Sequence, residues 1–134
     1  MLFKASHSID AKTTAADPDW QKLKIIKGTI VQFETWCHAL GADLLHWKVE
    51  YHGFQILPVN RDEWMDRVHR PVAYPDEFEI DTPPYELDLY AYNEDTAKAH
   101  TYNLHVHVNP PRKLEAVPVS PTIPERFIEF FRGA

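Results

Sequence analysis

The chain has 134 residues, enough for one domain with a substantial core and too few for two independent domains. Its 44% hydrophobic and 25% charged residues are typical of a globular protein and exclude a disordered chain. The net charge of −6 disfavours a nucleic acid as partner, because the phosphate backbone would be repelled.

Counts of particular residue types narrow the class further. Only 4 glycines are present and no phosphate-loop motif, whereas 11 prolines, 7 phenylalanines, 6 tyrosines and 4 tryptophans favour short strands separated by turns. The single cysteine, Cys37, excludes an internal disulfide and is expected in the core. No window resembles a signal peptide or a membrane span, so we expect synthesis in a reducing cytoplasm and no membrane partner.

The first third of the chain changes character at Trp20. Residues 1–19 are small and polar without a sustained period, which predicts an extended N-terminal arm. Beyond it, Leu23 and Ile25 alternate with a solvated set of lysines, and after Gly28 a second alternating run extends to Cys37. This pattern predicts two strands, or one strand with a bulge.

The middle of the chain contains the clearest alternation. Leu45, Trp47, Val49 and Tyr51 share one face, which predicts a half-buried strand, and a short apolar run around Ile56 follows. Residues 60–68 differ, because a capping-box spacing and apolar residues at helical intervals predict a turn or two of helix.

The last third is divided by prolines. Phe78 and Ile80 predict an edge strand. Residues 85–92 and 100–108 both alternate around a turn at 93–96, which predicts a long hairpin. Residues 111–134 form a proline-rich tail with a short aromatic segment.

Together these elements predict an all-β protein, an antiparallel sandwich over residues 20–110 between the arm and the tail. The residues expected inside it are Val31, Phe33, Trp47, Val49, Tyr85, Leu87, Leu89, Leu104 and Val106.

Three positions resemble the core of immunoglobulin-like domains. Cys37, Trp47 ten residues later, and Tyr85 at the start of a late strand match the buried tryptophan and strand-opening tyrosine of that fold. Leu87 stands where a second cysteine would be, so the run from Tyr85 to Asn93 is more similar to the polycystic-kidney-disease and cadherin-like variants. The resemblance implies an immunoglobulin-like sandwich.

A longer resemblance covers roughly residues 23–110. The residues that match are Lys27-Gly28-Thr29-Ile30, Gly41, Leu45-His46-Trp47, Gly53-Phe54-Gln55-Ile56, Pro58, Asn60, Pro83-Pro84-Tyr85-Glu86-Leu87, Tyr92-Asn93, Asp95-Thr96 and His100. Through these residues the chain looks like small proteins found among the structural genes of tailed phages and prophages. This resemblance implies a part of a virion and supplies no catalytic residue.

Histidines and carboxylates are the residues most able to bind a metal. His105 and His107 lie on one strand face at a spacing used by metal sites in sheets. His46, Glu50 and His52 lie on the outward face of another strand and could complete a site if the two strands are neighbours. Solvated side chains explain the pair better, so we expect no metal and no cofactor. Acidic residues over 81–88 suggest a calcium site or, more simply, a solvated edge. His100 is expected to have a structural role.

Exposed aromatic residues are the remaining candidates for binding. Tyr90, Tyr92 and Trp36, with Trp64, form a possible platform for a sugar or the core of a protein interface. The tail residues Phe127, Ile128, Phe130 and Phe131 are too apolar to stay in water, so we expect them to dock on this domain or on a neighbour.

The sequence contains no catalytic constellation, so we expect a structural protein rather than an enzyme. We expect it to form homo-oligomers and to contact other capsid or tail proteins in a virion, after synthesis in a host cytoplasm. The alternatives are a carbohydrate- or protein-binding sandwich module, cytoplasmic in location, and a histidine-based metal-binding protein.

Overall fold

The structure, a computed structural model, describes residues 1–111. Nearly all regular structure in this range is strand, with a single turn of 3₁₀ helix at Ala39–Gly41, and no helix in the range has the length and apolar character needed to span a membrane. The strands are β1 (Leu2–Ile9), β2 (Asp19–Lys24), β3 (Gly28–Cys37), β4 (Leu45–Tyr51), β5 (Phe54–Leu57), β6 (Val72–Ile80), β7 (Glu86–Asn93) and β8 (His100–Asn109).

The strands form two antiparallel sheets of four. The first sheet has the order β1-β8-β3-β6 and the second has the order β2-β7-β4-β5. Among the eight strands of residues 1–111, only β4 and β5 are both consecutive in the chain and paired, so most connections cross from one sheet to the other. Two facing four-stranded sheets joined in this way form a jelly roll.

This strand order corrects two expectations. In the immunoglobulin order the first two strands are neighbours, whereas here β1 and β2 lie in opposite sheets. The predicted hairpin is also wrong, because β7 pairs with β2 and β4 while β8 pairs with β1 and β3. Alternation reports which face of a strand is buried, but it does not report which strand lies beside it.

The predicted N-terminal arm is instead largely a part of the sandwich. Residues 2–9 form β1, which pairs with β8 along its whole length. The inward side chains of β1 include Ala5, His7 and Ile9. Because one of these residues is small and another is polar, the sequence of β1 does not show a clear alternation of apolar and polar residues.

The predicted helical turns at residues 60–68 are also absent. The segment is an irregular loop whose Met65 forms two backbone hydrogen bonds with Trp47, of 2.7 and 3.1 Å, and so extends the edge of β4 beyond the short strand β5. Apolar spacing alone did not distinguish a helix from a loop that packs Met65 and Val68 against the core.

The core between the sheets follows the predicted alternation closely. Seven of the nine residues expected inside are fully buried, namely Phe33, Trp47, Val49, Leu87, Leu89, Leu104 and Val106. Val31 is half-buried because β3 has a bulge between Ile30 and Gln32, and Tyr85 is half-buried just before β7 begins. Cys37 is buried as expected.

Two glycines permit close packing, Gly28 at the start of β3 and Gly41 in the 3₁₀ turn after that strand. A Cβ on Gly28 would collide with the carbonyl oxygen of Asn109, and a Cβ on Gly41 would lie 2.9 Å from the ring of His100. Both contacts require a residue without a side chain.

Trp47 links the two sheets at the centre of the core. Its indole, in β4, stacks on the Tyr102 ring of β8 with centroids 5.0 Å apart. The indole N–H donates to Oγ1 of Thr35 at 3.0 Å, and that hydroxyl donates to the Asn103 carbonyl at 2.6 Å. Every polar atom of this buried group therefore has a partner inside the protein.

We predict that Thr35→Val destabilises the protein by about 1–3 kcal/mol, because the Trp47 indole N–H is left buried without an acceptor. Urea unfolding followed by circular dichroism measures the change. Thr101→Val, on the outer face of β8, is the control and should change the free energy of unfolding little. Equal effects of the two substitutions would contradict the role given to Thr35.

Candidate functional site

The outer face of the second sheet carries four aromatic side chains, which we call the aromatic patch: Trp20, Trp64, Tyr90 and Tyr92. Trp20 of β2 lies directly opposite Tyr90 of β7, and Tyr90 lies opposite Lys48 of β4 on its other side. Trp64 reaches the same face from the loop after β5. Trp20 is 52% exposed, whereas the other three rings are half-buried.

Polar neighbours hold the rings of the aromatic patch in place. The Trp20 indole N–H donates to Oδ1 of Asp88 at 3.0 Å, and the Lys22 ammonium lies 5.2 Å from the Trp20 ring centroid. The Lys48 ammonium lies 4.6 Å from the Trp64 centroid and 5.7 Å from that of Tyr90. These cation–π contacts order the patch without burying it.

His46 fills one end of the aromatic patch. Its ring stacks on Tyr92 with centroids 4.5 Å apart, and Trp64 meets the same tyrosine edge-on at 4.8 Å. The two imidazole nitrogens approach different carboxylates, with Nδ1 3.4 Å from Asp66 and Nε2 2.8 Å from Glu94. Burial raises the pKa of Tyr92, so its hydroxyl stays protonated at neutral pH.

The residues of the aromatic platform predicted from the sequence do not all lie on one sheet. Tyr90, Tyr92 and Trp64 do lie together, but Trp36 is on the outer face of the first sheet, where it packs edge-on against His105 at 5.0 Å. Trp20 belongs to the patch, although the sequence analysis did not include it. The alternation of β2 could have identified it, because Trp20 is on the same face of the strand as the solvated Lys22 and Lys24.

The histidines proposed as metal ligands do not converge. His105 and His107 face outward from the first sheet, whereas His46 faces outward from the second, so the two sheets separate them. His105 instead pairs with Glu34 at 3.3 Å. Within residues 1–111, no three histidine, cysteine or acidic side chains are placed to hold a metal ion. Of the acidic residues over 81–88, Glu86 lies 3.6 Å from the Lys22 ammonium.

Three side chains in the core form a hydrogen-bonded series of the kind seen in some active sites, and the sequence analysis did not predict it. Oδ1 of Asp19 is 3.2 Å from Nε2 of His7, and Nδ1 of His7 is 2.8 Å from the Tyr102 hydroxyl. Tyr102 is fully buried and its pKa is raised well above the usual value by burial. Because no substrate reaches this hydroxyl, the series joins β1, β2 and β8 and is structural.

Two further titratable residues of the core, Cys37 and His100, are also placed to stabilise the fold. Burial raises the pKa of Cys37 to about 11, so its thiol is protonated and unreactive at neutral pH. Nε2 of His100 donates to Oδ2 of Asp95 at 2.7 Å, and Oδ1 of the same carboxylate accepts from the backbone N–H groups of Ala97 and Lys98. As expected, His100 is buried and hydrogen-bonded, although its partner is a carboxylate rather than the loop backbone.

The predicted tail-docking residues Phe127, Ile128, Phe130 and Phe131 lie outside the described residues. Comparison of the chain with known protein families and with curated proteins finds no match.

We predict that protonation of His7 destabilises the fold. Burial lowers the pKa of His7 below its ordinary value of 6.5, so the unfolded chain binds this proton more readily than the folded one. The contribution of His7 to stability is complete above pH 6.5 and is lost as the pH falls from 6.5 towards the lower folded pKa.

Urea unfolding at a series of pH values tests this. His7→Gln should flatten the loss of stability below pH 6.5, whereas His107→Gln, on the outer face of β8, should retain it. A His7→Gln profile parallel to the wild-type profile would refute the assignment.

Proposed function

We propose that this protein is a non-enzymatic structural protein that associates with further copies of itself, as a component of a repetitive particle of the phage type. The aromatic patch is the observation that supports this most directly. Tyrosine and tryptophan are enriched in the cores of protein interfaces, and the rim of such interfaces is polar. Here charged side chains lie beside and among the rings of the aromatic patch: Lys22, Lys48, Glu50 and Asp88.

Preorganisation of the aromatic patch supports the same proposal. The Trp20 side chain is already held by Asp88 and Lys22, so little side-chain entropy remains to be lost when a partner covers it. Aromatic anchors of this kind contribute a large share of the binding energy of protein interfaces.

The architecture is compatible with this role. Jelly rolls occur in viral capsid proteins and also in lectins, so the fold by itself favours neither. The resemblance to small phage structural proteins motivates the choice of a virion and of capsid or tail proteins as neighbours.

A carbohydrate-binding module is the second candidate, because aromatic rings on a sheet face can stack on sugars. The geometry of the aromatic patch favours a protein partner. The Trp64 and Tyr92 planes are 88° apart, and lysine ammonium groups lie over Trp20, Trp64 and Tyr90. Flat sugar platforms need ring faces that are open and nearly parallel.

We predict that the full chain self-associates in sedimentation velocity as its concentration is raised, and that Trp20→Ala weakens this association roughly ten-fold or more. Trp36→Ala is the matched control, since it removes an aromatic side chain from the outer face of the opposite sheet. It should leave the association unchanged.

Two results would overturn the proposal. One is a wild-type chain that stays monomeric at every concentration. The other is retention of the chain on a polysaccharide gel that Trp20→Ala abolishes, which would assign the aromatic patch to sugar binding.

A further inference from the structure

An apolar notch opens where the edge strands of the two sheets, β5 and β6, face each other. Its volume is about 200 Å³, and its lining includes the buried side chains of Phe33, Leu57 and Met65 together with Val59, which is 78% exposed. Most sites for small molecules are larger, roughly 300–1,000 Å³. The size and lining of this β5–β6 notch therefore suit the insertion of apolar side chains from a peptide.

The described part of the chain ends at a groove that adjoins β6. Pro110 and Pro111 line this groove together with Asp76 and Glu77 of β6. Asp76 also lines the β5–β6 notch. The last described residues and the notch therefore both contact strand β6.

The same edge of the sandwich is strongly acidic. Four carboxylates lie along β6 and directly after it, and within residues 1–111 none of them forms an ion pair: Asp76, Glu77, Glu79 and Asp81. The tail contains four basic residues, Arg112, Lys113, Arg126 and Arg132, and three glutamates, Glu115, Glu125 and Glu129, so its net charge is +1. Its basic start, Arg112-Lys113, follows directly on Pro111 and has the opposite charge to the acidic strand β6.

We propose that the β5–β6 notch binds the aromatic segment 127–131 of a neighbouring copy of this chain. The segment places Phe127, Ile128, Phe130 and Phe131 within five residues, and the notch is an apolar surface of matching kind. The inference deepens the proposed function and rests on it, because it names a second contact between the copies of the same assembly.

The length and composition of the intervening chain support a neighbour as the donor. Fifteen residues, 112–126, separate the end of the described chain from the aromatic segment. Such a length can reach on the order of 50 Å, enough to span to an adjacent copy. The spacer contains Pro118, Pro121 and Pro124, and proline-rich composition is typical of spacers that hold their two ends apart.

The contact is heterologous, since each copy donates a tail and receives another at a different surface. Repetition of such a contact generates a closed ring or an open filament. Both outcomes fit a structural component of a repetitive particle.

Binding of a fluorescent synthetic peptide of residues 121–134 tests the notch directly. The acceptor is the full chain with Phe130→Asp, which disables its own tail. Adding Val59→Asp should weaken peptide binding roughly ten-fold or more, because a charge replaces an apolar rim residue that is too exposed to matter for folding. Adding Val72→Asp, an exposed valine on β6 outside the notch, should have no effect. Equal binding by the two acceptors would overturn the assignment.

A mixing experiment identifies the donor. Both chains carry Trp20→Ala, which removes self-association through the aromatic patch. The Phe130→Asp chain retains its notch and the Val59→Asp chain retains its tail, so a contact between copies should give a heterodimer in sedimentation velocity that neither chain forms alone. If the mixture sediments as the sum of its parts, the tail does not dock on a neighbour and the proposal fails.

Trp20→Ala in both chains of the mixture separates this result from the proposed function. That substitution removes the contact through the aromatic patch and leaves the notch intact. Absence of heterodimers from this mixture, while chains that retain Trp20 still self-associate, would refute only the notch contact. Heterodimers in this mixture, together with wild-type self-association that Trp20→Ala does not weaken, would refute only the role of the patch.

Discussion

The stacking of Trp47 on Tyr102 joins the two sheets, and the rest of the sandwich is arranged around this contact. Trp47 is in β4 and Tyr102 is in β8, so both inner strands are fixed at one separation. Packed sheets lie about 10 Å apart, and large side chains that meet at the centre set this distance. The hydrogen bond from Trp47 to Thr35 is a second contact between the sheets, because it joins β4 to β3.

Polar contacts around this centre close the sandwich at its sides and end. His7 of β1 meets Asp19 of β2 at one edge, and the Asn93 side-chain amide of β7 donates to the backbone carbonyl of Ile9 at 3.2 Å. Tyr51 and Thr82 hydrogen-bond to each other at the opposite end. A rigid body of this kind can present the aromatic patch and the β5–β6 notch in fixed positions, which repeated contacts in an assembly require.

Local alternation predicted the fold class and most of the core, because each strand in a two-layer protein buries one face. It did not predict the strand partners. The pairing of β1 with β8 joins residues about a hundred positions apart, and nothing local encodes it. His7 shows why. A histidine in an alternating pattern suggests an outward position, and only the structure shows that Tyr102 and Asp19 provide hydrogen-bond partners for a buried His7.

The sequence also predicted the candidate site only in part. Parity along β7 placed Tyr90 and Tyr92 on one face, but parity cannot assign strands to sheets, so Trp36 was grouped with them wrongly. Trp64 joined them through a loop whose path depends on the backbone pairing of Met65 with Trp47. The β5–β6 notch was invisible to the sequence, because it exists only between strands of different sheets.

Native-state hydrogen exchange tests most directly whether the Trp47–Tyr102 contact makes the two sheets one cooperative body. Backbone amides of β3 and β8 in the first sheet, and of β4 and β7 in the second, should exchange with the same free energy, equal to that of global unfolding. Exchange of β4 and β7 at a clearly lower free energy, with β3 and β8 still protected, would show that the sheets open independently and would contradict the central role of this contact.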